Sequence, residues 1–135
     1  MTQSSDPITA RLAEYAVSAS NFPENVRQEA LRSFFNLLGC AIGGARHPIV
    51  DTADAALGAF GGPRQATLFA RGRKSDVPHA TLINCLASSV YSYDDTHAQA
   101  VVHPAGPIAS AVLAFAEWRP LSGADLLDVV VNLKR

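Results

Sequence analysis

The sequence predicts an all-α protein, arranged as an array of about six helices with at most one short strand pair. Apolar residues recur at helical spacing through most of the chain, and residues that favour helix starts or stops divide this pattern into segments. Hydrophobic residues make up 48% of the 135 residues and charged residues 17%, which is enough apolar side chain for one core. We therefore expect a single helical domain over residues 1–135.

The first helix is expected to begin at Asp6-Pro7, because aspartate is a favourable N-cap and proline fits the first helical position. Its apolar residues fall on one stripe, formed by Ile8, Leu12, Tyr15 and Ala16. The segment Asn21–Pro23 is expected to break this helix.

The second helix, beginning at Pro23 or Glu24, is predicted to be the longest. Its apolar positions lie four residues apart, at Ala30, Phe34, Leu38 and Ile42. From Phe34 onward the helix is apolar all round, so we expect other helices to enclose it on most sides. The pair Gly43-Gly44 should end it.

The middle of the chain predicts two more helices and one extended segment. A third helix is expected over Ile49–Phe60 and ends at the turn Gly61–Pro63. Ala66–Phe69 is the only segment predicted to be extended. Ser75–Pro78 then favours a helix start, and a largely apolar helix follows over His79–Tyr91.

The last part of the chain predicts a polar loop and two final helices. The loop, Tyr93–Gly106, is rich in titratable residues. Pro107 then opens a helix over Ile108–Glu117, whose alanine-rich face allows close packing. Ser122–Asp125 offers a cap for a last helix that contains Leu126–Val131 and continues to the C-terminus.

Charge and hydropathy exclude several classes of protein. The net charge is −1 and the basic residues are scattered apart from Arg71–Lys74, so we expect no nucleic-acid binding. The longest strongly apolar stretch, Phe34–Gly44, is far short of the ~20 residues that span a bilayer. Met1–Pro7 does not resemble a secretory signal, which favours a cytoplasmic location. Cys40 and Cys85, each set in apolar sequence, are expected to be buried reduced thiols.

The segment between the fourth and fifth helices concentrates groups that can perform chemistry, namely Asp94, Asp95, Thr96, His97 and His103. A polar loop held by rigid helices is a common way to position reacting groups. His103 lies just before a helix N-terminus, where free N–H groups and the helix dipole attract anions, so an anionic substrate is expected. The same dipole disfavours a protonated imidazole, which makes His103 a candidate general base.

Plainer roles for these residues stay open. His103 can instead cap the helix or fill a polar gap. Asp94 and Asp95 can form a solvated turn in which Asp95 accepts from nearby backbone N–H groups. A divalent metal is a third alternative, but the spacing matches no recognised ligand signature and we expect no metal. His47 and His79, both beside prolines, are predicted to be surface or capping residues.

The order of these signals resembles the MmgE/PrpD family: a helix that ends in Asp94-Asp95-Thr96-His97, a short loop, and then His103-Pro104-Ala105-Gly106 before an alanine-rich helix. The similarity extends from about Thr9 to Val130. Further matching positions are Phe35–Gly39 with Gly43–Ala45, Ala66-Thr67 after a Gly-Gly turn, Asn84, and Ser122–Leu127.

The resemblance implies chemistry like that of 2-methylcitrate dehydratase, cis-aconitate decarboxylase and an epimerase of an amino-acid-like dicarboxylate. It implies a small carboxylic-acid substrate, no cofactor or metal, and the removal or addition of a proton next to a carboxylate. His103 is implied as the acid/base residue and Thr96 as a substrate-contacting hydroxyl. Asp94 and Asp95 match the last two acidic positions of the motif, and with His97 they are expected to bind substrate.

The chain also departs from the family pattern. Ser92 stands where the family commonly has an aspartate, and the Thr96–His103 loop is slightly longer than in the decarboxylase branch, which argues against that branch. Family members are several times longer. Their further carboxylate-binding groups and a second α/β domain would lie beyond Arg135.

Two functions therefore stay open for the chain. The first is a domain related to lyases or isomerases of small di- or tricarboxylates, without the full catalytic machinery. The second is a non-catalytic helical protein derived from that family, which self-associates or binds a partner. Uncovered apolar helix faces would favour a homo-oligomer such as a dimer. Because no pattern places Arg71–Lys74 near the site, we expect no turnover by this chain alone.

Overall fold

The computed structural model describes residues 7–18 and 22–134, and in these ranges it is predominantly helical, as the sequence predicts. The described elements are α1 (Ile8–Ser18), α2 (Glu24–Gly44), α3 (Pro48–Gly58), β1 (Ala66–Leu68), β2 (Arg73–Ser75), α4 (Val77–Ser89), α5 (Ala105–Trp118) and α6 (Gly123–Lys134). The predicted N-cap Asp6 and helix breaker Asn21 lie outside the described residues. Among the described residues, no helix is long and apolar enough to cross a membrane.

Capping contacts are present at three predicted helix starts. His47 caps α3, because its Nδ1 accepts from the Ile49 N–H at 3.3 Å. Asp76 caps α4 by accepting from the His79 N–H at 3.0 Å. Ser122 and Asp125 form a reciprocal pair at the start of α6, where Ser122 Oγ accepts from the Asp125 N–H at 3.1 Å.

Two groups of buried apolar residues form the core. The first joins α2, α3, α4, α5 and β1, and consists of Ala41, Val50, Ala66, Leu68, Ala80, Ile83, Ala87 and Ala114. The second joins α2, α5 and α6, and consists of Ala30, Phe34, Leu37, Ala109, Val112, Val130 and Val131. Burial of a large member such as Leu37 or Ile83 contributes about 1.5–3 kcal/mol. Alanine at most other positions lets the helices pack closely.

α2 packs closely against α4 at Gly44. A Cβ atom at this position would overlap the carbonyl oxygen of Ala87 and the side chain of Val90. The preceding Gly43 has open space where its Cβ would lie. Of the two glycines that end α2, only Gly44 is therefore required by packing.

The predicted extended segment is confirmed as β1, which pairs antiparallel with β2 through Ala66↔Ser75 and Leu68↔Arg73. Asn84 on α4 binds the backbone of the β1 segment. Its Oδ1 accepts from the Phe69 N–H and its Nδ2 donates to the Thr67 carbonyl, both at 2.9 Å. One side chain thus replaces part of a third strand and fixes the hairpin on α4.

The prediction that His79 is a surface or capping residue is wrong. Its side chain is buried and its Nε2 lies 2.8 Å from Asp54 Oδ1. Asp54 also accepts from Arg71 Nη1 at 2.9 Å and pairs with Arg73, and we call these four residues the Asp54 cluster. The cause is tertiary, because side chains from the β1–β2 hairpin and from α4 converge on one buried carboxylate of α3.

The Asp54 cluster also determines the protonation of its carboxyl group. Burial alone would raise the pKa of Asp54, but hydrogen bonds from Arg73 and His79 and the charges of Arg73 and Arg71 outweigh it. The net effect is a pKa below the ordinary aspartate value. Asp54 is therefore held as a carboxylate, paired as a buried charge must be.

The prediction that α2 is enclosed on most sides is also wrong for the described residues. Within the range from Phe34 onward, Phe35 and Ile42 are exposed, with Phe35 at 84%. The predicted stripe on α1 is likewise uncovered at Ile8 and Leu12. The four-residue spacing identified both helices, but it could not show which apolar positions have a neighbour.

Candidate functional site

The candidate site lies in the connection between α4 and α5, and its buried member is Asp94. The chain turns sharply after α4 at Ser92, whose φ is 55°, and then enters the site. The Asp94 side chain is only 2% exposed, and Ser89 Oγ donates to its Oδ2 at 3.1 Å. Ser89, the last residue of α4, thus contacts the carboxylate oxygen other than the one that lies near His103.

Thr96 and His103 meet at the exposed side of Asp94. Thr96 Oγ1 lies 3.3 Å from His103 Nδ1, within hydrogen-bonding distance. Asp94 Oδ1 lies 3.4 Å from the same nitrogen. The His103 side chain is 45% exposed, so its ring is open to solvent while Nδ1 faces protein groups. His103 Nδ1 thus lies within hydrogen-bonding distance of the Thr96 hydroxyl and within ion-pair distance of the Asp94 carboxylate.

A small hairpin turn brings Thr96 beside His103. The His97 N–H donates to the Val102 carbonyl at 2.9 Å, and the Val101 N–H donates to the His97 carbonyl at 2.8 Å. Val101 adopts a φ of 53° to close this turn. Inside it, the Ala100 N–H donates to His97 Nδ1 at 3.1 Å. The side chain of His97 thus has a structural contact within the loop.

Asp95 occupies part of the helix N-terminus at which the sequence predicts an anionic substrate. Its Oδ1 accepts from the Ala105 N–H at 2.9 Å, at the first residue of α5. The helix therefore begins before Pro107, the predicted start, and the proline fits its first turn because no intrahelical donor is needed there. The alternative of a solvated turn is right only in that Asp95 accepts from a backbone N–H, because the donor lies ten residues away at the start of α5 and Asp94 is buried.

The start of α5 is also fixed against α4. Gly106 packs so closely that a Cβ atom there would lie 3.2 Å from Ser88 Oγ and 3.6 Å from Cys85 Sγ. From the other side, Asn36 on α2 donates through Nδ2 to the Tyr93 carbonyl at 3.0 Å. Three helices thus hold the loop that carries the site.

The family model of the MmgE/PrpD N-terminal domain matches residues 10–132. The chain belongs to the MmgE/PrpD family. The matched range coincides closely with the stretch over which the sequence resembles that family and includes the whole α4–α5 connection. No curated protein and no solved structure gives a significant match.

In this MmgE/PrpD domain, a cleft of about 270 Å³ adjoins the site loop. It is lined by Gly39, Cys40, Gly43, Ser88, Tyr91 and Tyr93. Burial raises the pKa of the Cys40 thiol, and the nearby charges of Asp94 and Asp95 raise it further. The pKa of Cys85 is raised by burial and by Asp94. Both cysteines are free and half-buried, so the prediction of buried thiols holds only in part, and the raised pKa favours the protonated form of each.

The basic run of the MmgE/PrpD domain is engaged away from the site. Arg71 binds Asp54, the Ala45 carbonyl and Asp51. Lys74 Nζ lies 2.7 Å from Glu117 Oε2, while Thr67 donates to the same carboxylate. These cations stabilise the hairpin on α3 and α5, and their carboxylate partners leave them little capacity for a substrate.

The described residues of the MmgE/PrpD domain contain no group of three or more His, Cys, Asp or Glu side chains arranged to hold a metal ion. The sequence identified the residues that meet at His103, but it missed Ser89 as the partner of Asp94. Serine near a helix end usually bonds to its own backbone, as Ser89 Oγ also does with the Cys85 carbonyl. No spacing signal marks its second contact.

Proposed function

We propose that the chain carries the proton-transfer part of an MmgE/PrpD site for a small di- or tricarboxylate, in lyase or isomerase chemistry. The observation that supports this most directly is the meeting of Thr96 Oγ1, Asp94 Oδ1 and His103 Nδ1 on one exposed loop. We also propose that residues 1–135 form one helical domain that corresponds to the N-terminal part of the family's helical domain.

His103 is the proposed acid/base residue. Its ring is accessible, and its inner nitrogen is held by protein groups, so the outer nitrogen Nε2 is the one that can reach a substrate. A neutral imidazole is well suited to remove a proton next to a carboxylate near neutral pH. The electron pair left on that carbon delocalises toward the carboxylate. A β-hydroxyl that takes up a proton can then leave as water in a dehydration, or a proton can return to the opposite face in an epimerisation. In a decarboxylation the electron pair comes instead from the C–C bond that releases carbon dioxide, and protonated His103 would supply the proton to that carbon.

The proposed roles of the other site residues differ in how the structure supports them. Thr96 has an exposed hydroxyl beside His103 and is proposed to contact a substrate oxygen. Substrate binding by Asp94, Asp95 and His97 stays a prediction. Each of these three has a protein partner in the loop or at its flanking helices, which supports an orienting contribution in addition.

A di- or tricarboxylate also needs cationic or hydrogen-bonding groups to stabilise its charges and the enolate-like charge that develops when the proton leaves. The Arg71–Lys74 run does not supply them, since its members are paired with Asp54, Asp51 and Glu117. The N-terminus of α5 has one fewer free N–H for a substrate, because the Ala105 N–H already donates to Asp95. We therefore propose that this chain binds such acids weakly and lacks the full catalytic machinery.

Binding can be tested by NMR titration of the chain with 2-methylcitrate and cis-aconitate. We expect shift changes centred on the His103 ring and the Thr96 methyl group, and their loss in His103→Ala. His47→Asn is a matched control, because it removes the histidine at the N-cap of α3 and retains a side chain that can cap the helix. Shift changes that persist in His103→Ala, or that map away from this loop, would contradict the proposed site.

A second candidate function is self-association through the outer face of α2. Leu31, Phe35 and Ile42 are exposed there, while Gly39 and Gly43 line the cleft beside the site loop. Exposed apolar patches commonly mark interfaces. A second copy of the chain is the proposed partner, which would form a homodimer.

Sedimentation velocity separates this candidate from a monomer. Phe35→Glu is expected to convert a dimer to a monomer, because it places a charge in the centre of the apolar face. Phe60→Glu is the matched control, since Phe60 is equally exposed but lies beyond the end of α3. A wild-type chain that stays monomeric at tens of micromolar, roughly the range in which weak interfaces populate, would contradict self-association.

A further inference from the structure

We propose that Asp94 is a positioning residue that fixes neutral His103 as the tautomer protonated at Nδ1, so that Nε2 carries the lone pair. This inference rests on the proposed function for its meaning, but the tautomer itself can be measured without substrate. It assigns a direction to the proton transfer: the nitrogen that faces the protein keeps its proton, and the nitrogen that faces solvent accepts one.

The position of the carboxylate decides the tautomer. Asp94 Oδ1 lies 3.4 Å from His103 Nδ1. This is an ion-pair contact, and the hydrogen-bond partner of Nδ1 is Thr96 Oγ1. A proton on Nδ1 lies nearer to the carboxylate charge than a proton on Nε2 does, which is favourable. Without that proton, the nitrogen lone pair would lie near a carboxylate oxygen, which is repulsive. The two neutral tautomers therefore differ in energy in favour of the Nδ1–H form.

The carboxylate cannot turn away easily to relieve this repulsion. Ser89 Oγ lies 3.1 Å from Asp94 Oδ2 and shares its one proton between this carboxylate and the Cys85 carbonyl, and the Asp94 side chain is 2% exposed. Water therefore screens its charge poorly, and the electrostatic preference at Nδ1 is stronger than it would be on the surface. Burial, and after it the charge of Asp94, raises the pKa of the Cys40 and Cys85 thiols, so the same carboxylate also acts on these neighbouring groups.

The same assignment orients the hydroxyl of Thr96. If Nδ1 donates, Thr96 Oγ1 at 3.3 Å acts as an acceptor, and the hydroxyl proton remains free to point toward a ligand. Thr96 can then donate to a substrate oxygen while the outer nitrogen of His103 accepts a proton. One buried carboxylate thus sets the donor and acceptor roles of both exposed groups.

His97 provides an internal reference with the opposite tautomer. Its Nδ1 accepts from the Ala100 N–H at 3.1 Å, so the neutral ring must carry its proton on Nε2. Two histidines in one loop are therefore expected to show opposite tautomers in the same spectrum. This contrast removes any dependence on absolute calibration.

The test is a long-range ¹H–¹⁵N correlation spectrum of the histidine-labelled chain at a pH of about 8, above the ordinary imidazole pKa of about 6.5. We expect the Nδ1–H pattern for His103 and the Nε2–H pattern for His97. A spectrum in which His103 of the wild-type chain carries its proton on Nε2 would overturn the proposal. This measurement needs no variant and no ligand.

Two variants test whether Asp94 is the cause. In Asp94→Asn the amide can present an N–H to the imidazole, so the Nε2–H population of His103 should rise at least several-fold. Ser89→Ala, which only loosens the carboxylate, should give a smaller change in the same direction. The charge-matched surface variant Glu29→Gln should leave the spectrum unchanged.

The His97 pattern reports whether Asp94→Asn still folds around the loop, and Ser89→Ala decides the question if that pattern is lost. An unchanged His103 tautomer in a folded Asp94→Asn chain would contradict the positioning role. The proposed function fails separately: if carboxylic acids do not bind while the opposite tautomers are observed, the tautomer assignment stands and the substrate assignment does not.

Discussion

At the scale of single residues, local charge and burial decide how the titratable groups behave. Sequence reasoning identified Thr96 and His103 because both lie in one polar loop, close enough in sequence to meet. It could not find the contact between His79 and Asp54, which are separated by two strands and lie on different helices. Pairings of that kind depend on the tertiary fold, and a histidine beside a proline carries no signal for them.

The two cysteines should react slowly with an alkylating agent near neutral pH. The thiolate is the reactive form, and burial together with the charge of Asp94 raises the pKa of both thiols. We expect modification by iodoacetamide to be several-fold slower in the folded chain than in urea and to accelerate as the pH rises. Cys40→Ser and Cys85→Ser separate the two rates. Equal rates in folded and unfolded chain would show that these thiols are not suppressed.

Asp54 should contribute more to stability than its neighbour Asp51. Asp54→Asn leaves the buried Arg71 without its main counter-charge, and loss of one partner of a buried pair costs about 3–5 kcal/mol. Asp51 binds the same guanidinium from an exposed position, so Asp51→Asn should cost about 1 kcal/mol or less. Urea unfolding measures both free energies, and similar losses would argue against the Asp54 cluster as the dominant contact.

The stability of the chain should fall with acidification below a pH of about 4, the ordinary range of aspartate. The pKa of Asp54 is lowered in the folded state, so the unfolded chain binds more protons in this range and folding stability rises with pH. The contribution is present above the unfolded pKa and is lost as the pH falls through the folded pKa. Asp54→Asn should flatten this dependence in urea unfolding measured at several pH values, and an unchanged slope would contradict it.

At the scale of elements, the helices were predictable because their caps and apolar spacing are local. The hairpin was predictable only in part, since β1 is apolar but β2 begins inside the basic run Arg71–Lys74. The start of α5 was placed too late for a similar reason. Its cap is Asp95, ten residues before Ala105, and a local search for a cap does not reach so far.

The close contact between α2 and α4 at Gly44 predicts that two neighbouring glycine substitutions change stability differently. Gly44→Ala places a methyl group against the backbone of Ala87 and should destabilise the fold by about 1–3 kcal/mol. Gly43→Ala meets no neighbour, and it should be neutral or stabilise by up to about 1 kcal/mol, because alanine favours helix over glycine. Thermal and urea unfolding of the two variants provide the test. A Gly44→Ala chain as stable as Gly43→Ala would mean that the helices can separate without cost.

At the scale of the whole molecule, the fold class and the family could be predicted from the sequence, while the exposed surfaces could not. Helical spacing shows that α1 and α2 have apolar faces, but coverage depends on which other elements reach them. The same limit applies to the site. The loop residues were evident, whereas the engagement of Arg71–Lys74 with Asp54, Asp51 and Glu117 emerged only from the tertiary structure.

We propose that His103 is the acid/base group of a carboxylate site that Arg71 and Lys74 do not complete, because both cations are paired with carboxylates of the protein. The decisive experiment incubates the purified chain with 2-methylcitrate and cis-aconitate and follows the products by proton NMR, beside His103→Ala. We predict no product formation by either chain, because the charge that develops on the substrate finds no free cation in the Arg71–Lys74 run. Product formation by the wild-type chain that disappears in His103→Ala would contradict this proposal and show that residues 1–135 suffice for catalysis.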